Sequence, residues 1–270
     1  MRDLLDVARA IAEAIPPEVS PEIVVTGSVS RGMTDDVSDI EMLIVTRRQL
    51  TLDEAFELGR GAGLEGELGS WGVQDVPTKR VSGYRDGVPI ELIFWERSYA
   101  DERIAAYESS EAIAHGVALR GGAYLERWQA FLADYPEELA LERIDDAALT
   151  WGGFAPEGLL TLTRAGDRFT MIERMVDDTQ RVMKMLWAIN RKWPPTNKRL
   201  ARRESELAVK PERLAARIEE AFAEPNQTRA VLLMTRLQLD TVSLAPDTPN
   251  VVRARDWLAR GIEILESRLS

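Results

Sequence analysis

Apolar residues recur at helical spacing from the start of the chain. Leu4, Leu5, Ala8, Ile11, Ala12 and Ile15 share one face over residues 3–15. Pro16-Pro17 ends that helix, because neither ring nitrogen can donate to the preceding turn. Ile23-Val24-Val25 is a short β-branched run that predicts a buried strand, and Gly27-Ser28 opens a turn after it. A second strand is predicted from Ile40 to Thr46 (IEMLIVT), followed by a helix from Leu52 to Ala62. Gly61, Gly63, Gly66, Gly69 and Gly72 then break every period, which predicts a loop-rich passage. Lys79 to Trp95 reads as a hairpin turning at Arg85-Asp86-Gly87, and Pro89 sits near the start of its second strand, where a missing N–H is tolerable.

From Tyr99 onward the pattern is helical. Phe169, Ile172, Val176, Thr179, Met183, Leu186 and Asn190 recur every three or four residues and predict the packed face of a long helix ended by Pro194-Pro195. Its charged face carries Asp177, Arg181, Lys184 and Arg191. The chain therefore reads as α+β: a mixed sheet flanked by helices over residues 1–100, then a helical bundle over residues 101–270.

Composition narrows the chemistry. No cysteine is present, so disulfides and thiolate metal sites are excluded. The opening Met1-Arg-Asp-Leu-Leu-Asp lacks the basic-then-apolar order of a secretory signal, and no run approaches the roughly 18 apolar residues of a membrane span. The expected location is the cytoplasm, with no membrane partner. Net charge is −11, from 45 acids against 34 bases. That field repels polyanions and argues against a nucleic-acid-binding role. His115 is the one histidine, so acid–base work falls to carboxylates, lysine or tyrosine. Against the overall charge, residues 191–203 hold six bases (Arg191, Lys192, Lys198, Arg199, Arg202, Arg203) and no acid.

The segment with the most chemical content is Thr26-Gly27-Ser28-Val29-Ser30-Arg31-Gly32-Met33-Thr34-Asp35-Asp36-Val37-Ser38-Asp39-Ile40-Glu41. Strand residues two apart project from one face, so Asp39 and Glu41 are expected to point together beside the Gly-Ser turn. Two carboxylates there suit hard divalent cations, and the backbone amides and Ser28 hydroxyl of the turn suit phosphate oxygens. Glu91 stands between Ile90 and Leu92 in an apolar strand, a costly place for an unpartnered carboxylate. If its strand lies beside that of Asp39 and Glu41, three carboxylates converge, a set suited to two Mg²⁺ ions about 3.5–4 Å apart.

Gly-Ser-x-x-Arg-Gly followed by Ser-Asp-x-Glu resembles the signature of the DNA polymerase β-like nucleotidyltransferases. Within that superfamily the chain is similar to small bacterial antibiotic nucleotidyltransferases of the aminoglycoside and lincosamide type. The resemblance implies a polymerase β-like catalytic domain and a helical substrate- and nucleotide-binding domain, with the active site in a cleft between them. It places Gly27 and Ser28 at the triphosphate, Asp39 and Glu41 as the metal pair, and Glu91 as the third carboxylate, with its role open between general base and metal ligand alone. Arg31 falls near the phosphates or braces the loop, and Ser38 lies beside the nucleotide. The stretch Leu186 to Leu200 resembles a helical-domain segment of these relatives, which implies that Lys198 reaches the phosphates. The second acid is Glu41 where many relatives carry Asp.

The implied reaction is Mg²⁺-dependent transfer of NMP, AMP foremost, from an NTP such as ATP to a hydroxyl of a small antibiotic-like molecule, with release of pyrophosphate. The rivals are NMP transfer to a protein or tRNA, and a catalytically silent nucleotide-binding regulator. Plainer readings stand beside these. Asp35 and Asp36 suit turn formation, His115 a structural or solvent-facing place, and the Met and Trp residues near 183–187 the core. Asp177 and Asp178 read as exposed helix acids or contacts to a cationic substrate. The basic stretch reads equally as a solvated face after a helix C-terminus.

Overall fold

The computed structural model describes residues 3–70, 77–151, 155–196 and 198–270. It divides into two units, Met1–Asp134 and Tyr135–Ser270. The fold class is α+β, with a mixed six-stranded sheet in the first unit and helices throughout the second.

The first unit begins with α1 (Leu4–Ala14), capped by the Asp3 carboxylate accepting from the Leu5 amide at 2.9 Å. Next come β1 (Glu22–Thr26), the single helical turn α2 (Gly27–Ser30) and β2 (Ile40–Thr46). A full capping box of Thr51 and Glu54 starts α3 (Leu52–Gly61). The hairpin follows the sequence pattern: β4 (Thr78–Arg85) and β5 (Val88–Glu96) are joined by Asp86 and Gly87, both at positive φ (54° and 78°) as a type I′ turn requires. After it come α4 (Arg97–Ala105), α5 (Ser110–Ala114), β6 (Val117–Arg120) and α6 (Ala123–Leu132).

Two strands arise where the pattern predicts none. β3 (Glu65–Gly69) lies in the glycine-rich passage and β6 in the stretch read as helical. The sheet order is β3-β4-β5-β2-β1-β6, so both are edge strands. β3 is exposed along most of its length and its register with β4 shifts between Glu65 and Gly69, so it carries no apolar alternation. Because β6 pairs with β1, the first unit runs to Asp134, beyond the division expected at residue 100. Gly72 lies outside the described residues.

All pairs are antiparallel except β2–β5, which is parallel. One face of the central strands is fully apolar. Ile23, Val25, Ile40, Met42, Ile44, Ile90, Leu92 and Phe94 form a buried core with Val7, Ile11 and Ile15 of α1 and Ala55 of α3. On the opposite face Val24, Leu43, Val45 and Trp95 are buried. Trp95 meets Tyr99 of α4 edge to face at 6.0 Å. Glu22, 2% exposed, accepts from the amides of Gly122, Tyr124 and Leu125 at 3.0, 2.9 and 2.5 Å, so a buried carboxylate satisfies the start of α6.

The second unit holds α7 (Glu137–Leu149), a 3₁₀ segment (Pro156–Thr163), α8 (Arg168–Ile189), α9 (Leu200–Arg203), a 3₁₀ turn (Glu204–Glu206), α10 (Leu214–Ala223), α11 (Gln227–Ser243) and α12 (Pro249–Ser267). The long helix of the sequence pattern is α8, but its buried stripe is rotated from the expected one. Met171, Met175, Asp178, Val182 and Met185 face the core, while Phe169, Ile172 and Val176 are exposed. Flexible methionines fill the core on a stripe that β-branched residues and phenylalanine also flank, so apolar spacing alone does not choose between the two faces. Met183, Leu186 and Trp187 are core, as expected. Among the described residues no helix is long and apolar enough to cross a membrane.

Candidate functional site

The first unit's candidate residues lie at the Glu41–Glu91 end of the sheet face that also carries Val24, Leu43 and Trp95. Parallel register sets Glu41 opposite Glu91, and antiparallel registers set Thr26 opposite Glu41 and Ser82 opposite Glu91. Directly paired residues share a face, so Thr26, Glu41, Glu91 and Ser82 form one row across four adjacent strands. Neighbouring strands lie about 4.8 Å apart, which brings the two glutamates side by side. Asp39 is half-buried immediately before β2, two residues upstream of Glu41.

The turn after β1 is fitted to this row. Gly27 has φ +66°, a conformation that side chains with a Cβ disfavour, and a Cβ there would collide with the Glu41 carboxylate. Glycine thus permits both the backbone turn and the close approach of Glu41. The turn is closed by the Ser30 hydroxyl donating to the Gly27 carbonyl at 3.1 Å and the Met33 amide donating to the Ser28 carbonyl at 2.9 Å. Ser28 is half-buried, and its hydroxyl makes no hydrogen bond among the described residues.

The remaining motif residues brace the loop. Arg31 pairs with Glu111 of α5 at 2.6 Å, with side chains 12% and 16% exposed. The Ser38 hydroxyl donates to the Asp35 carboxylate and accepts from the Asp35 amide, both at 2.8 Å. Asp35 also accepts from the Val37 amide at 3.3 Å, so it acts as the turn former its position predicts.

The three carboxylates are neighbours but not a gathered cluster. Among the described residues no group of three acids or histidines stands close enough to hold a metal ion. Glu91 instead faces Arg80 of β4 at 3.5 Å, with side chains 29% and 16% exposed. The donor set nevertheless fits a hard cation: carboxylate oxygens without nitrogen or sulfur suit Mg²⁺.

In the second unit Lys198 is exposed in the turn before α9. Much of the basic stretch around it is tied down locally. Arg191 forms a two-pronged pair with Glu137 at 2.8 and 2.6 Å, and Lys192 donates to the Glu206 carbonyl at 2.5 Å. Arg203 is 7% exposed, pairs with Glu206 at 3.2 Å and lies over the Trp187 ring. Asn190 donates to the Leu186 and Val209 carbonyls and accepts from the Val209 amide, a structural brace. His115 is exposed at the end of α5.

Sequence reading missed Arg80, Ser82 and Glu111. The first two were accessible from the hairpin turn: fixing Asp86-Gly87 as the turn pairs Arg85 with Val88, hence Ser82 with Glu91, and leaves Arg80 diagonal to it. Glu111 carries no such signal, because its contact with Arg31 spans distant sequence. Asp178 also differs from its reading as an exposed acid. It is 4% exposed and accepts from Trp151 Nε1 at 2.9 Å and Arg174 Nε at 3.0 Å. Burial pushes its carboxyl above the usual aspartate value, against the opposing pull of Arg174 and Trp151.

No protein-family model matches the chain, and no curated protein matches it in sequence. Among solved structures it is similar to a nucleotidyltransferase-like protein from Exiguobacterium sibiricum 255-15, at 16% identity over 98% of this chain and 75% of that chain, with a TM-score of 0.29. Likeness at that level carries no functional weight.

Proposed function

We propose that the chain is a polymerase β-like nucleotidyltransferase that moves NMP from an NTP to a hydroxyl of a small molecule. The supporting observation is the row Thr26, Glu41, Glu91 and Ser82, with the Gly27-Ser28 turn seated against Glu41. An apolar sheet that aligns two half-buried glutamates next to a turn whose positive φ favours glycine has arranged costly charges around a small space. Asp39, Glu41 and Glu91 would hold Mg²⁺, which supplies positive charge against the triphosphate. The Gly27 and Ser28 amides and the Ser28 hydroxyl bind phosphate oxygens. Glu91 accepts the proton of the acceptor hydroxyl. That oxygen bonds to the α-phosphorus while the bond to the bridging oxygen breaks, and pyrophosphate leaves with the electron pair. Positioning and charge carry most of the rate. The charge of −11 suits a cationic acceptor such as an aminoglycoside.

The Arg80–Glu91 ion pair favours a second reading, a nucleotide-binding regulator that transfers nothing. Pyrophosphate release with Mg²⁺ and each of four NTPs, across aminoglycosides, lincosamides and polyols, separates the two. Acceptor-dependent release that disappears in Asp39→Asn supports the transferase. NTP binding without release supports the regulator, and absence of NTP binding removes both.

A further inference from the structure

The helical unit contains a cavity of about 320 Å³, lined in part by Trp151, Leu159, Leu162, Arg174, Gln238 and Trp257. Gly158 and Thr161 also border it and are exposed, which marks its mouth. At about 30 Å³ per water this space equals roughly ten waters, and it lies at the lower end of the roughly 300–1,000 Å³ of small-molecule pockets. Its walls are mostly apolar, and Gln238 is the one buried polar side chain among the lining residues. Gln238 is 2% exposed, and its side-chain amide makes no hydrogen bond among the described residues. Buried polar groups in folded proteins are nearly always partnered, so this amide is left to pair with water or with a ligand in the cavity.

The surrounding groups define that partner. Trp151 commits its one polar atom to Asp178 and so presents a ring to the cavity, and Trp257 adds a second ring. Asp178 neutralises Arg174 through its Nε, so the cavity holds no net positive charge for an anion. A carboxamide offers an acceptor and a donor side by side, and its complement is another amide-like edge.

We propose that this cavity binds an uncharged planar ring carrying an amide-like donor–acceptor edge, held between Trp151 and Trp257 and read by Gln238. Nucleobases and aromatic carboxamides share that chemistry. The site lies wholly within the helical unit and does not depend on the transferase reading.

The probes are benzamide, uracil, benzoate and ethylbenzene, titrated into the full chain while the indole N–H signals of its seven tryptophans are followed by NMR. Trp151→Phe and Trp257→Phe assign the two relevant signals. Saturable shifts of those two signals are expected with benzamide or uracil, and the tighter of the pair names the source. Gln238→Leu should weaken that binding by about tenfold, the scale of one hydrogen bond, while ethylbenzene is unaffected. Thr161→Trp, placed at the exposed mouth, should abolish binding without touching the core. Absence of saturable shifts would mean a water-filled cavity and overturn the proposal. So would benzoate binding more tightly than benzamide, equal binding to Gln238→Leu, or binding that survives Thr161→Trp.

Discussion

Replacing Gly27 by alanine tests the join between turn and carboxylate row. The residue stands at φ +66°, and forcing a side chain into the left-handed region costs about 1–2 kcal/mol. At about 2–4 °C per kcal/mol, that term alone lowers Tm by about 2–8 °C. A second cost comes from the new Cβ, which would strike the Glu41 carboxylate and drive it out of line with Glu91. The two costs separate in a double-mutant cycle of Gly27→Ala with Glu41→Ala, read by urea unfolding. Truncating Glu41 removes the collision and leaves the backbone strain, so a coupling of about 0.5–3 kcal/mol is expected, as for other contacting residues. Additivity within about 0.5 kcal/mol would refute the steric account, since independent sites behave that way. In the pyrophosphate assay, Gly27→Ala should lose about 10²-fold in turnover, the scale of a misplacement of about 1 Å.

Three further outcomes follow from named contacts. Glu22→Gln keeps the side chain's size but leaves fewer acceptor lone pairs for the three amides at the start of α6, so denaturant unfolding should show a loss of about 1–3 kcal/mol. Asp178 has its carboxyl pushed up by burial, so the folded state binds its proton more tightly than the unfolded state. Stability measured relative to Asp178→Asn should therefore rise as pH falls from neutral towards about 4, the unfolded aspartate value, and a difference independent of pH would contradict it. Arg80→Ala frees Glu91 from its ion pair, so a transferase should keep or gain turnover while Glu91→Gln loses it. A regulator would show no turnover in either variant.

The legible part of the fold is the part with strong local pattern. The hairpin is set by Asp86-Gly87, β2 by an unbroken apolar run, and α1 by a single apolar stripe ended by prolines. The edge strands were hidden for the opposite reason. β3 buries little and β6 is four residues long, so neither needs an apolar alternation that could announce it. The buried face of α8 is not legible locally, because Phe169, Ile172 and Val176 form an apolar stripe comparable to the methionines that face the core. At the candidate site, spacing brought Gly27, Asp39, Glu41 and Glu91 into view. The Arg80 and Glu111 ion pairs depend on which distant strands and helices become neighbours, and no local spacing encodes that.

The parallel pairing of β2 with β5 bears on how the protein assembles. β1 and β2 are linked by the short passage 27–39, and β4 and β5 by a two-residue turn, so each piece can form by closing a small loop. Glu41 arrives on the first piece and Glu91 on the second, with residues 47–77 connecting the two pieces. Loop-closure entropy rises by only about 0.6 kcal/mol for each doubling of length, so that connection can lengthen or shorten at little thermodynamic cost while the strand ladder keeps the glutamates aligned. Long-range pairing of this kind forms late and slowly. The carboxylate row therefore spans a long-range seam of the sheet, and separation of the two pieces breaks it.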